Sequence, residues 1–289
     1  MDGIIIINKE KNWTSNDVVQ KVKHITNKKV GHTGTLDPLA TGVLPLLIGK
    51  GTSLSKYLIN HDKEYIATIC LGKKTDTGDS QGNIIEKQDV PENIFNKENI
   101  NQVLNSFIGE NMQTPPIYSA IKINGKKLYE YARKGKQVEI PTRKITIYSI
   151  ELQDFSKDLQ EITYKVNCSK GTYIRTLSED IAKKLGTVGF TKELKRTKVG
   201  DFKIEQAIKI SEVQEKLEEN LITFEKFFEK NDKIKLDSHK LDLLYNGVKL
   251  NCEKQDGIYS ILNQDEKLEC IGVVANHKLK REIWVNDKK

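Results

Sequence analysis

An α+β fold is what this 289-residue sequence predicts, and three observations carry the expectation. Strand-like and helix-like segments follow one another without the regular strand–helix–strand rhythm of a doubly wound sheet. Apolar residues make up 37% of the chain, enough for a substantial core. From about Lys233 onward the pattern breaks into short strand-like pieces, which sets a small β-rich unit at 233–289 apart from a larger unit at 1–232.

Taken in order, Gly3 to Asn8 reads as a first strand. Ser15 is placed to cap a helix in which Val18, Val19, Val22 and Ile25 keep the 3.6-residue period. A loop rich in glycine follows, then a buried strand over Val43 to Ile48 and a short helix over Thr52 to Ile59. Lys63 to Leu71 alternates as a half-buried strand does and is closed by the turn-rich Gly72 to Gly82. Lys97 to Phe107 is helical, with Gly109 positioned to end it. Asn124-Gly125 marks a turn ahead of a basic, tyrosine-bearing helix over Leu128 to Lys134. Arg143 to Leu152 and Glu161 to Ser169 read as paired strands, and the helix Tyr173 to Leu185 puts Ile174, Leu177, Ile181 and Leu185 on one face. Ser211 to Lys230 is charged and helical, and Ile258 to Leu262, Cys270 to Ala275 and Glu282 to Val285 supply the strands of the small unit.

Charge is unevenly placed. Between Lys122 and Lys144 eight basic residues face Glu130 and Glu139, so this stretch holds +6 of a net +7. Lys183 to Lys203 adds seven basic residues against two acids, while Glu205 to Lys230 has seven acids against four lysines. Two basic stretches offset by an acidic one fit the footprint of a polyanion such as RNA. The apolar run Gly3 to Ile7 is too short for a signal peptide and follows Asp2 rather than a basic segment, and no stretch is of membrane length, so a cytoplasmic protein is expected. Cys70, Cys168, Cys252 and Cys270 are far apart, without CxxC or a nearby histidine; four buried thiols are expected, with no disulfide framework and no metal.

Gly31-His32-Thr33-Gly34-Thr35-Leu36-Asp37-Pro38-Leu39-Ala40-Thr41-Gly42-Val43-Leu44 is the most informative stretch. Its glycines permit turns that other residues resist, and Pro38 biases Asp37 away from helical geometry, so the carboxylate sits on a shaped loop. On composition alone it would be a connecting turn. Gly49-Lys50-Gly51-Thr52 fails the phosphate-loop pattern, because glycine follows the lysine and six residues separate Gly42 from Gly49. His32 has no partner in a nucleophile motif, which leaves a hydrolytic triad unsupported. Tyr65 in an alternating strand is by itself core packing. Arg175, in Lys170-Gly171-Thr172-Tyr173-Ile174-Arg175, stands at the positive end of a helix, where a cation needs a partner to explain it.

The ordered string GHTGTLDPLATGVL resembles the catalytic motif of the tRNA pseudouridine-55 synthases of the TruB type. Four further segments, through about Phe202, resemble that family in the same order: KEYIA with LGKKTDTGD, GTYIR, LKRTKVGDF, and the thumb-like Thr114 to Lys144. The resemblance implies a pseudouridine synthase domain with a mixed, largely antiparallel sheet and flanking helices, plus a PUA-like C-terminal unit. It implies Asp37 as the catalytic aspartate, Tyr65 stacking on the target uracil, Arg175 paired with Asp37, and His32 contacting RNA beside the flipped uridine. Ile174 and Leu194 would wall the uracil pocket, with Lys195-Arg196 in place of the usual arginine pair. Lys9, Lys126, Lys127 and Arg133 would bind RNA. The first motif departs from the family's Asn-Lys-Pro-x-Gly-x-Thr-Ser, with Glu10 and Asn12 where proline and glycine usually stand.

The implied reaction is isomerisation of a uridine in the tRNA T-loop, at position 55, with no cofactor and no metal. The expected partner is the T-arm stem-loop, bound by a monomer without an obligatory protein partner or membrane. A non-catalytic RNA-folding protein on the same scaffold would share the basic arm but need not keep Asp37, Tyr65 and Arg175 together. A guide-RNA-dependent subunit is disfavoured by the intact thumb-like segment.

Overall fold

The computed structural model describes residues 2–132, 134–136 and 138–286. In chain order the elements are β1 (Gly3–Lys9), α1 (Ser15–Thr26), β2 (Val30–His32), β3 (Thr41–Ile48), α2 (Ser55–Leu58), β4 (Lys63–Leu71), β5 (Lys73–Thr75), β6 (Ile84–Lys87), α3 (Lys97–Asn105) and β7 (Gly109–Gln113). They continue with β8 (Lys122–Ile123), β9 (Lys126–Lys127), α4 (Leu128–Ala132), β10 (Arg143–Ser156), β11 (Glu161–Cys168), α5 (Ile174–Lys184), β12 (Gly189–Val199), β13 (Phe202–Lys203) and β14 (Ile208–Lys209). The last are α6 (Val213–Asn220), α7 (Phe224–Phe227), β15 (Lys233–Lys235), α8 (Ser238–Tyr245), β16 (Leu250–Asn251), β17 (Gly257–Leu262), β18 (Leu268–Ala275) and β19 (Lys278–Trp284).

The main sheet runs β14-β1-β3-β12-β4-β11-β10-β7, with β2 on β3 and β13 on β12. Most pairs are antiparallel; β1 with β14 and β12 with β3 are parallel. This is the mixed α+β architecture expected. The isoleucine run of β1 is buried on both faces of the sheet: Ile5 and Ile7 join the core beneath α1, α3 and α5, and Ile4 and Ile6 join a second core on the other side.

That second core is shared. Leu268, Ile271 and Ile283 of the C-terminal five-stranded sheet pack in it with Val43, Leu47, Phe224 and Phe228, so the small sheet is docked rather than tethered. Lys50 Nζ adds a 2.9 Å bond to the Val285 carbonyl, and Lys56 pairs with Glu282.

Several local expectations are corrected. Thr14, not Ser15, caps α1, in a reciprocal box with Asp17. The Thr52 to Ile59 helix is a 3-10 segment over Gly49–Leu54 that leads into the single turn of α2. The helix over Ser211 to Lys230 breaks at 221–223, because Ile222 exchanges two backbone hydrogen bonds with Ile4 on β1, at 2.9 and 2.8 Å. Of the four cysteines only Cys168 and Cys270 are buried, with burial pushing each thiol up to about 12; Cys70 and Cys252 are partly exposed.

Candidate active site

Asp37 lies on the loop between β2 and β3, and the loop is held from several sides. Ser15, freed from capping, accepts from the Leu36 N–H at 2.8 Å and donates to the Leu36 carbonyl at 3.0 Å. Arg196 on β12, only 1% exposed, donates from Nη2 to the Gly34 carbonyl at 3.0 Å and from Nε to the Val43 carbonyl at 2.8 Å, bracing both ends. Its backbone runs so close to β3 that a Cβ on Gly42 (φ +100) would stand 2.1 Å from the Arg196 oxygen, which only glycine avoids.

Lys9 is a correction. Expected at the RNA surface, it is 0% exposed, and its ammonium donates to the carbonyls of Glu10 (3.0 Å), Trp13 (2.7 Å) and Pro38 (3.3 Å). It holds the Asp37–Pro38 turn from behind. Burial pushes its pKa down to about 8, against the pull of the Asp37 carboxylate. Asn12 adds an N–H to the Pro38 carbonyl at 2.8 Å and takes φ 70°, the left-handed region that asparagine tolerates better than most residues other than glycine.

Arg175 reaches Asp37 from the first turn of α5. Its Nε is 3.0 Å from Asp37 Oδ2, while Nη1 donates to the Thr77 carbonyl at 2.9 Å and Nη2 to the Tyr118 carbonyl at 2.9 Å. One guanidinium thus joins the Asp37 loop, the turn between β5 and β6 and the root of the basic arm. Asp79, itself buried, lies 3.9 Å from Nη1. The start of α5 has no side-chain cap; instead the Gln113 amide donates to the Tyr173 carbonyl at 3.0 Å and accepts the Tyr173 N–H at 2.8 Å. The Asp37 side chain keeps 35% of its surface open, yet it is recessed on the cleft floor. Burial raises its pKa, Arg175 pulls it down, and Asp79 adds to the rise.

The cleft above Asp37 has a volume of about 730 Å³ and takes walls from Tyr65, Ile174, Leu194, Arg175 and Arg196. Tyr65 faces Arg196 in the β4–β12 register. Burial raises the phenol's pKa, with Arg196 opposing, so the hydroxyl stays protonated and available as a donor. Lys63, Arg143, Lys144 and Lys170 stand around the cleft and make it a place for an anion. His32 sits beside the cleft on β2, with a buried Nδ1 that has no hydrogen-bond partner; burial lowers its pKa and keeps the ring neutral. Lys126 and Lys127 lie away from the cleft, in the β8–β9 hairpin of the basic arm, and Arg133 lies outside the described residues. Among the described residues no group of three or more His, Cys, Asp or Glu side chains is placed to hold a metal.

Arg196 and Asp79 fall inside segments already marked in the sequence, LKRTKVGDF and LGKKTDTGD, but the roles they take here, bracing the Asp37 loop and flanking Arg175, were not read from it. Gln113 lies outside every marked segment and had no signal.

A model described as the TruB family pseudouridylate synthase N-terminal domain matches residues 22–174, more than half of the chain. The chain belongs to the TruB family. The model of the tRNA pseudouridylate synthase B C-terminal domain matches residues 175–235. Among similar TruB proteins, tRNA pseudouridine synthase B of Clostridium tetani is 47% identical over 252 residues, 86% of either chain. That of Francisella tularensis subsp. novicida is 42% identical over 286 residues, 96% of this chain and 93% of its own. A crystal structure of a Cbf5-Nop10-Gar1 complex contains a chain 26% identical, with TM-score 0.66, covering 99% of this TruB chain and 84% of that one. An H/ACA RNP bound to a substrate RNA containing 2'-deoxyuridine shares the fold, with TM-score 0.67 at 24% identity.

Proposed function

We propose that this TruB chain is a tRNA pseudouridine synthase that isomerises the uridine at position 55 in the T-loop. The carrying observation is the recessed Asp37 carboxylate held at 3.0 Å by a buried arginine, under a cleft walled by Tyr65, Ile174 and Leu194. A uracil inside a folded loop can reach Asp37 only by leaving its stack, and Tyr65 offers the aromatic face an extruded pyrimidine needs. The bond between C1′ and N1 breaks, a bond between C1′ and C5 forms, C5 gives up a proton and N1 gains one. Atoms and electrons balance within the nucleotide, so the reaction calls for no redox partner.

In this reading Asp37 is the catalytic residue, kept ionised and aimed by Arg175. Ile174 and Leu194 exclude water, so the detached base is recaptured rather than lost. Lys9 is a positioning residue, acting through the Pro38 turn. His32 fills space beside the vacated stack. Residues 1–232 form the catalytic unit, 114–144 close on the T-arm through Lys126, Lys127 and Arg133, and 233–289 form the appended PUA-like unit. We read the protein as a cytoplasmic monomer acting on tRNA without a protein partner.

The test is to incubate the purified chain with unmodified tRNA and map pseudouridine. Conversion at position 55 is expected. Binding without conversion, in a chain with Asp37 intact, would leave the non-catalytic reading in its place.

A further inference from the structure

Ile59, the residue that closes α2, points its bulk at no core: Leu58 is the buried member of that turn, and Ile59 is 56% exposed on the wall of the Asp37 cleft. A lone exposed isoleucine needs no explanation by itself. Two features set this one apart. Its surroundings on the cleft are cationic, with Lys63, Lys170, Arg143 and Lys144 as neighbours on the same lining. The loop behind it is fixed at separate points: Lys170 Nζ donates to Asn60 Oδ1 at 2.6 Å, the Tyr148 hydroxyl to Asp62 Oδ1 at 3.2 Å, and the Gly200 N–H to the Asp62 carbonyl at 2.9 Å.

A ring of cations grips phosphates and gains nothing from an aliphatic side chain in its midst. What such a side chain can meet on RNA is the face of a base, and a β-branched residue on a braced loop loses little freedom in doing so. We infer that Ile59 is a substrate-positioning contact, packing on the base next to the flipped uridine and holding the gap open while Asp37 reacts. This rests on the proposed tRNA reaction and assigns it a further residue.

The experiment measures equilibrium binding and turnover on a T-arm stem-loop. Ile59→Ala should weaken binding about five- to tenfold, the order expected for losing a partly buried aliphatic contact, and Ile59→Leu should restore it. The same variants are then tested on stem-loops carrying an abasic site immediately 5′ or 3′ to the target. If Ile59 packs on a base, the Ile59→Ala penalty vanishes on one of these two RNAs, because the partner is already gone. A penalty that persists on both overturns the inference, as does tighter binding by Ile59→Lys, which would mean a phosphate lies at this place. The wild-type chain separates the two readings: failure to convert the intact stem-loop overturns the reaction itself, whereas conversion with an undiminished penalty overturns only the role of Ile59.

Discussion

The loop that carries Asp37 and the arm over 114–144 belong to one site but are built in opposite ways. Residues 33–40 are tied by Ser15, Lys9, Asn12, Arg175 and Arg196, from α1, β1, the turn after it, α5 and β12. The arm is a two-residue hairpin and one short helix with exposed lysines, and it meets the body near its root, where Arg175 donates to the Tyr118 carbonyl and Thr176 Oγ1 to the Thr114 carbonyl at 3.4 Å. Chemistry needs a carboxylate fixed before substrate arrives, because reorganising it during the reaction would raise the barrier. Gripping an RNA arm needs a surface that can adapt to it. Arg175 touches both parts.

The largest effect should come from the fixed side. Asp37→Asn should lower turnover by on the order of a thousandfold or more while tRNA affinity stays within about threefold, since phosphate contacts dominate binding. Single-turnover assays and filter binding check both numbers, and near-normal turnover would remove Asp37 from its role. Next, Arg175→Gln should cost about a hundredfold in kcat and shift the acid limb of the pH–rate profile upward. The sign follows from Arg175 being the strongest influence that lowers the Asp37 pKa: without it the carboxylate holds its proton to higher pH. A limb that stays in place would show that the pair does not set the ionisation of Asp37.

Lys9→Met should have an intermediate effect, about tenfold on kcat, by loosening the Pro38 turn. Stability gives a second readout. The folded chain releases the Lys9 proton near pH 8, whereas the unfolded chain keeps it to 10.5. Between those values the unfolded state binds more protons, so wild-type stability rises with pH relative to Lys9→Met. Denaturant titrations at pH 7 and 10 measure it, and a constant or falling difference would contradict the buried ammonium. The smallest effect on chemistry belongs to the arm. Neutralising Lys126, Lys127 and Arg133 together should weaken all RNAs alike and lower the magnitude of the salt slope by roughly 1 per lost phosphate contact, with preference for the target uridine unchanged. Lost preference would mean the arm reads sequence.

Much of this site is legible in the sequence where local chemistry decides the outcome. The strand Lys63 to Leu71 falls where its alternation puts it, and the Gly31 to Leu44 string marks the loop of Asp37. The central strand β12 is not legible in the same way. In GFTKELKRTKV charged residues crowd the alternation, bulges interrupt its register with β4, and one arginine is turned inward. Lys9 is misread for the same reason: lysine belongs at the surface by type, and the three carbonyls that hold it converge only after folding. Ser15 and Thr14 are both competent caps, and the choice is made by Leu36, 21 residues away.

The core shared by the two sheets also sets a timetable. Ile4 and Ile6 leave the ribosome more than 250 residues ahead of Leu268, Ile271 and Ile283, which share their core. Until then that face of β1 is only partly covered, by Val43, Leu47, Phe224 and Phe228 among others. Contacts of such long sequence separation form slowly and leave sticky surface in the interval. A chain truncated before β18 would leave part of this shared core uncovered, and is expected to behave as a client for chaperones rather than as a smaller enzyme.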